Sequence, residues 1–230
     1  MDGLKERIAS IKCRIATAAK KAGRNTYDVR LIAVSKKKSA EMVIQAIEAG
    51  QTIFGENYIQ EAASKIEEVS RPESSWHFIG HLQKNKAKYA VRYFDLIHTV
   101  DSEALASELG KNAAKINKIQ DILIQVRIGD EDSKSGVEPF KVAELVKNIS
   151  NIENIRIKGL MTIPPPVENP EEARAFFRKL KNISDEIRAN NIPGVLMDEL
   201  SMGMSDDFEV AISEGATLVR VGTAIFGGRS

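Results

Sequence analysis

The sequence predicts an α/β protein of one domain, a closed (β/α)8 TIM barrel with an extra helix at its N-terminus. Three observations lead there. Eight short runs rich in β-branched and aromatic residues recur, each is separated from the next by a stretch of helical composition, and the fingerprints of the competing open sheet are missing. Strands that alternate with helices pair in parallel through right-handed crossovers. For 230 residues the usual outcomes are an open doubly wound sheet and a barrel. An open sheet typically holds about five or six strands. No Gly-x-Gly-x-x-Gly follows the first run, and no Gly-x4-Gly-Lys-Ser/Thr loop occurs anywhere, so the barrel is preferred.

The elements follow in order. Leu4, Ile8, Ile11, Ile15, Ala18 and Ala22 stand at spacings of three and four, the stripe of an amphipathic helix over 1–23 that Gly23 ends. The barrel then takes 31–230, within a single domain of 1–230. Its strands are expected at 31–35, 52–55, 76–79, 96–100, 121–128, 155–160, 197–201 and 217–221. Helices are expected between them at 40–49, 59–69, 83–89, 103–116, 138–149, 171–189 and 206–214. Pro164, Pro165 and Pro166 read as a rigid loop inside the domain, since no repeat or low-complexity tract surrounds them.

Composition narrows the functional classes. Lys and Arg number 33 against 32 Asp and Glu, a formal charge of +1, without the basic excess of a nucleic-acid or membrane binder. One cysteine, Cys13, cannot form an internal disulfide, which points to a reducing compartment. No signal-like or membrane-length apolar run is present, so a cytoplasmic location is expected. A monomer is expected too, because no exposed apolar helix stands out.

In such barrels the chemistry gathers where strands end and loops into helices converge. Two of those ends are informative. The seventh and eighth strands run out into Ser201-Met202-Gly203 and Gly222-Thr223, where small residues let backbone amides face an anion. Tight turns and helix caps explain the same residues equally well. The first strand runs out into Lys36, followed by Lys37 and Lys38. A lysine triplet alone is an ordinary solvated patch. An amine facing a phosphate cradle is different, because it can form an imine with an aldehyde whose phosphate is anchored opposite. Pyridoxal phosphate is such an aldehyde.

Longer motifs sharpen this reading. Ala33-Val34-Ser35-Lys36, the run from Phe54 through Gly55-Glu56-Asn57 to Glu61, the run from Trp76 to Lys86, Ser133-Lys134-Ser135-Gly136, the run from Leu200 to Asp207 and the closing Val219–Gly227 stretch together resemble the YggS/PROSC family of pyridoxal-phosphate homeostasis proteins. The resemblance spans nearly the whole chain in order. It implies the barrel domain seen in alanine racemase, with pyridoxal phosphate held as a Schiff base on Lys36. It also implies a phosphate site at Ser201, Gly222 and Thr223, Asn57 near the ring, and Arg220 against the pyridine nitrogen. Met161, at the end of the sixth strand, joins the expected cofactor-binding set. The implied role is storage or transfer of the cofactor, limiting free aldehyde, with apo-enzymes that use it as possible recipients.

The enzyme alternative is an amino-acid racemase or lyase using the same lysine. A racemase of this fold takes a second base, a tyrosine, from a separate β domain, and eight βα units leave no room for one here. Tyr27, Tyr58, Tyr89 and Tyr93 all precede the fourth strand, and none shows a partner suggesting a tuned base. An arginine against the pyridine nitrogen would also weaken the ring as an electron sink. A non-catalytic binding protein is therefore expected. His77 and His81 are four apart, but a strand and Gly80 break the helical register a metal pair needs. His98 reads as a core histidine. The acidic loop over 129–136 lacks calcium-ligand spacing and is expected to close over the barrel mouth. Asp101-Ser102 reads as a helix cap.

Overall fold

A computed structural model describes residues 2–129 and 135–228. The chain opens with α1 (Asp2–Lys21) and then alternates: β1 (Arg30–Val34), α2 (Ala40–Glu48), β2 (Ile53–Glu56), α3 (Ile59–Val69), β3 (Ser75–Phe78), α4 (Ala87–Tyr93), β4 (Leu96–Val100) and α5 (Glu103–Ala114). The second half continues with β5 (Gln120–Gln125), α6 (Val142–Ile149), β6 (Ile155–Met161), α7 (Arg174–Ala189), β7 (Val195–Ser201), α8 (Phe208–Ser213), β8 (Leu218–Val221) and a single turn, α9 (Thr223–Phe226). The strands form one closed barrel in sequence order. Its seam is the parallel pairing of β1 with β8, from Arg30 opposite Leu218 to Ala33 opposite Val221. The predicted barrel with its leading helix is the observed fold.

Strand alternation builds two cores. Leu31 and Ala33 face outward into a large apolar layer shared with the helices. Ile32, between them, faces inward and packs with Leu96, Leu123, Met161 and Leu218 inside the barrel. The stripe of α1 is buried as expected, with Ile8, Ile11 and Ile15 covered. It lies against α8, α9 and α2, across the seam where the first and last barrel units meet. Gly23 follows with φ 67°, the left-handed geometry that ends a helix cheaply only at glycine.

Several boundaries differ from the sequence expectation. The fifth strand ends at Gln125 rather than 128: the Val126 amide still donates to the Met161 carbonyl at 2.8 Å, but Val126 also forms a parallel bridge with Val137, and regular pairing stops there. Three predicted helices begin as tight 3-10 turns, at Lys84–Lys86, Pro139–Lys141 and Pro170–Ala173. Asp206 and Asp207 fall outside α8, whose start is delayed to Phe208. The physical reason is Asp207, whose Oδ1 accepts from the Met204 amide at 2.6 Å and holds the preceding turn instead. Asp101 lies outside α5, and Ser102 caps it by accepting from the Leu105 amide. No helix among the described residues is long and apolar enough to cross a membrane.

Candidate functional site at the barrel mouth

The C-terminal ends of β1 and β8 meet at a cleft of about 340 Å³. Val34, Lys36, Tyr58, Gly222, Thr223 and Gly227 line it. Parity along β1 explains the lysine. Ile32 points into the barrel, so Val34 and Lys36 take the same side two and four residues later, at the mouth. Gly222 sits beside Val34, and a Cβ there would come within 3.2 Å of the Val34 Cβ and 3.3 Å of its carbonyl oxygen. A side chain at 222 would therefore crowd the wall of the cleft. Thr223 opens α9, so the amides of residues 223 and 224 precede its first intrahelical bonds, which are donated by Ile225 and Phe226 to the Gly222 carbonyl.

Lys36 occupies the second position of a tight turn. The Lys38 amide donates to the Ser35 carbonyl at 3.0 Å, and Lys37 between them has φ 59°, an uncommon conformation for a residue with a side chain. Beneath the turn lies a buried ion network. Lys65 Nζ donates to the Ser35 carbonyl at 2.7 Å, to Glu56 Oε1 at 2.7 Å and to Glu61 Oε1 at 2.8 Å. Glu61 Oε1 also accepts from the Lys37 amide at 2.5 Å, and Ser35 Oγ donates to Glu56 Oε1 at 2.7 Å. Burial pushes the Glu56 carboxyl above its ordinary range, with Lys65 and Ser35 opposing.

Other predicted residues lie deeper or to one side. Met161 is fully buried in the inner apolar cluster. Ser201 and Arg220 are buried together: Arg220 Nη1 donates to Ser201 Oγ at 2.5 Å and Nη2 to the Thr162 carbonyl at 2.9 Å. From Ser201 the bonds continue across the barrel, to His98 Nδ1 at 2.9 Å and from His98 Nε2 to His77 Nδ1 at 3.1 Å. Burial pushes His77 down to about 4. Burial also takes His98 well below the ordinary imidazole range, with His77 and Arg220 adding to the effect. Arg220 is lowered to about 10 by burial, opposed by Asp207. It stays charged at neutral pH, while both histidines are neutral. Asn57 lines a neighbouring cavity of about 310 Å³ with Gly80, His81 and Arg127. Its Oδ1 is buried and has no hydrogen-bond partner among the described residues.

The structure thus brings Lys36, Gly222 and Thr223 onto one cleft, pairs Ser201 with Arg220 below, and puts Asn57 at the flank. His77 and His81 part company, since His81 Nδ1 bonds Ser135 Oγ at 3.1 Å while His77 turns inward. Among the described residues no cluster of three or more His, Cys, Asp or Glu is placed to hold a metal ion. Ser133, Lys134 and most of the acidic loop lie outside the described residues. Tyr58, weighed in the sequence only as a base without a partner, stands on the cleft wall, Glu61 was part of a motif without a role, and Lys65 went unnoticed. Lys65 did leave a signal: it stands three residues after Ala62 in the apolar stripe of α3, where a lysine must find buried partners.

A barrel with a lysine and a small-residue turn at its mouth defines a class. Residues 7–230 match the family model for the N-terminal domain of alanine racemase. The chain belongs, within that class, to the pyridoxal phosphate homeostasis protein family. The relative from Aquifex aeolicus, so named, is 44% identical over 97% of this chain and 97% of its own. A solved structure of PipY from Synechococcus elongatus with PLP bound is 37% identical, with TM-score 0.86 over 97% of this chain and all of that one. Alanine racemase from Clostridium difficile shares the fold alone, at 14% identity and TM-score 0.72 over all of this chain and 57% of its own.

Proposed function

We propose that this protein binds pyridoxal phosphate at the β1–β8 cleft and keeps it in reserve, supplying it to apo-enzymes without turning over a substrate. The observation that carries this reading is the single cleft shared by Lys36, Gly222 and Thr223. The residues present fit the cofactor. An amine, a turn that a side chain at 222 would crowd, and a buried acceptor without a partner at Asn57 among the described residues match an aldehyde, a phosphate and a polar ring edge. When bound, the cofactor supplies an electrophilic aldehyde carbon. Lys36 would hold it covalently through Nζ, with release of one water. Gly222 and Thr223 would hold the phosphate through backbone amides and the Thr223 hydroxyl.

Ser201 is expected at the phosphate both from its place at the end of β7 and from the resemblance. Its hydroxyl also bonds Arg220 and His98, so beside that contact it would orient Arg220. Arg220 keeps its proton at neutral pH, so a ring nitrogen facing it would receive a hydrogen bond and no proton. That arrangement weakens electron withdrawal by the ring and suits a holder better than a catalyst. Met161 would support the site from the inner core. The homeostasis names of the curated relatives agree with the non-catalytic reading. A cytoplasmic location remains our reading on the single cysteine, and a monomer on the lack of an exposed apolar helix in the sequence pattern.

Absorption spectra of the protein before and after borohydride, followed by peptide mapping, test the attachment. A visible band that is lost on reduction, with the pyridoxyl mass on the Lys36 peptide and nothing fixed in Lys36→Ala, is the expected result. Attachment to another lysine, or no band after incubation with pyridoxal phosphate, would refute it. Tyr58 favours a second reading, as a candidate second base on the same cleft. Loaded protein that exchanges the α-hydrogen of alanine for deuterium, and loses that exchange in Tyr58→Phe, would establish catalysis in place of storage.

A further inference from the structure

We infer that Lys65 and Glu61 are positioning residues for Lys36, holding fixed both peptide groups that flank its Cα. The inference rests on the assignment of Lys36 as the attachment point. The Ser35 carbonyl belongs to the peptide that enters Lys36, and Lys65 Nζ donates to it at 2.7 Å. The Lys37 amide belongs to the peptide that leaves Lys36, and Glu61 Oε1 accepts from it at 2.5 Å. Lys65 and Glu61 are bonded to each other at 2.8 Å and stand one turn apart on α3. One rigid helix therefore grips both sides of a single residue.

The grip has something to resist. Lys37 sits at φ 59°, a backbone state that costs a residue with a Cβ energy and persists only where surroundings over-determine it. Such a turn, left alone, relaxes and swings the Lys36 side chain with it. The network is also built as an anchor. Lys65 is only 5% exposed and Glu56 fully buried, and all three ammonium protons of Lys65 are spent on the Ser35 carbonyl, Glu56 and Glu61. Helix α3 could have been docked by apolar residues alone, as Ile59, Ala62 and Val69 show. The ion network adds a fixed point aimed at the turn. It also gives the Gly-Glu-Asn-Tyr-Ile-Gln-Glu run over 55–61 a purpose at each end: Glu56 seats the lysine, and Glu61 passes its hold to the turn.

The test separates grip on Lys36 from general support of the cleft. Pyridoxamine 5′-phosphate carries the phosphate and ring but cannot link to a lysine, so its affinity reports the cleft alone. Pyridoxal phosphate reports the linkage as well, through its visible band. Glu61→Ala is the first variant, since its side chain is 29% exposed and its loss leaves the buried Lys65–Glu56 pair intact. Lys65→Met is the second. We expect pyridoxamine phosphate affinity within about twofold of the parent, and a linkage equilibrium weakened roughly tenfold, the scale of one hydrogen bond. In the cofactor-free protein, amide exchange at residues 36–38 should quicken in Glu61→Ala while the barrel strands keep their protection. Linkage and exchange unchanged in Glu61→Ala would overturn the inference, as would both ligands weakening in step. If the parent itself binds pyridoxamine phosphate yet never links the aldehyde, the fault lies with the assignment of Lys36. Should Lys65→Met fail to fold, Glu61→Ala decides alone.

Discussion

Arg220 is a donor at every pH the protein will meet, so Ser201 Oγ must accept from it, and the hydroxyl proton is left for His98. If Ser201 donates to His98 Nδ1, then His98 Nε2 donates to His77 Nδ1 and each bond in the row is satisfied. Charging either histidine breaks that order and puts a second cation near Arg220. The sign of the pH dependence follows. An unfolded histidine titrates near its ordinary value of about 6.5, while folded His77 waits until about 4. The unfolded chain thus binds protons first, and stability present above about pH 6.5 is lost as the pH falls toward 4. Buried Glu56 and Asp207, raised by burial, act with the opposite sign above the ordinary carboxylate range. The histidine window therefore runs from about pH 6.5 down to about 4, and a variant lacking His77 isolates its share of the slope. Urea unfolding across that window should show stability falling with pH, and His77→Gln should flatten the slope. An unaltered slope in the variant would remove His77 from the account. At this scale Lys36, Gly222 and Thr223 were legible, because strand ends converge in any barrel. Lys65 and the histidine row were not, because their partners depend on register and on which side of a strand a residue faces.

At the scale of elements, the pairing of β6 with β7 is the most constrained. The register shifts between Ile157 and Gly159, and a Cβ at Gly159 would fall 1.9 Å from the Glu199 carbonyl oxygen. Neither backbone can yield without losing strand pairing. Gly159→Ala should cost on the order of 4 kcal/mol or more, at the far end of single substitutions. Chemical denaturation measures it, and a loss under about 1 kcal/mol would show that the two strands can separate locally. The periodicities of two and of three to four residues exposed every strand and the long helices in the sequence. They were blind to how a helix starts. At Pro139 and Pro170 the same apolar spacing fits a 3-10 turn and an α-turn alike, and only the local backbone bonds distinguish them. Helix α9 was hidden too, since four residues are too few to show a period.

For the whole molecule, the seam decides. Strand β8 completes the circle against β1, and α1 lies across the join with Leu4, Ile8, Ile11 and Ile15 covered. Ile8→Ala should cost about 2–5 kcal/mol for a fully buried isoleucine, read from the unfolding midpoint at an unchanged denaturant slope. A loss below about 1 kcal/mol would mean that α1 only rests on the barrel. The same seam has a consequence for how the protein is made. The ribosome delivers α1 early, but the surfaces that cover its greasy ridge, α8 and α9, are among the last to emerge. Throughout translation the nascent chain trails an unsheltered apolar helix and an unpaired strand edge at β1, the kind of exposure that chaperones patrol. Slowing synthesis near the end of the message would lengthen that vulnerable interval, whereas a pause before α1 has emerged would leave it unchanged.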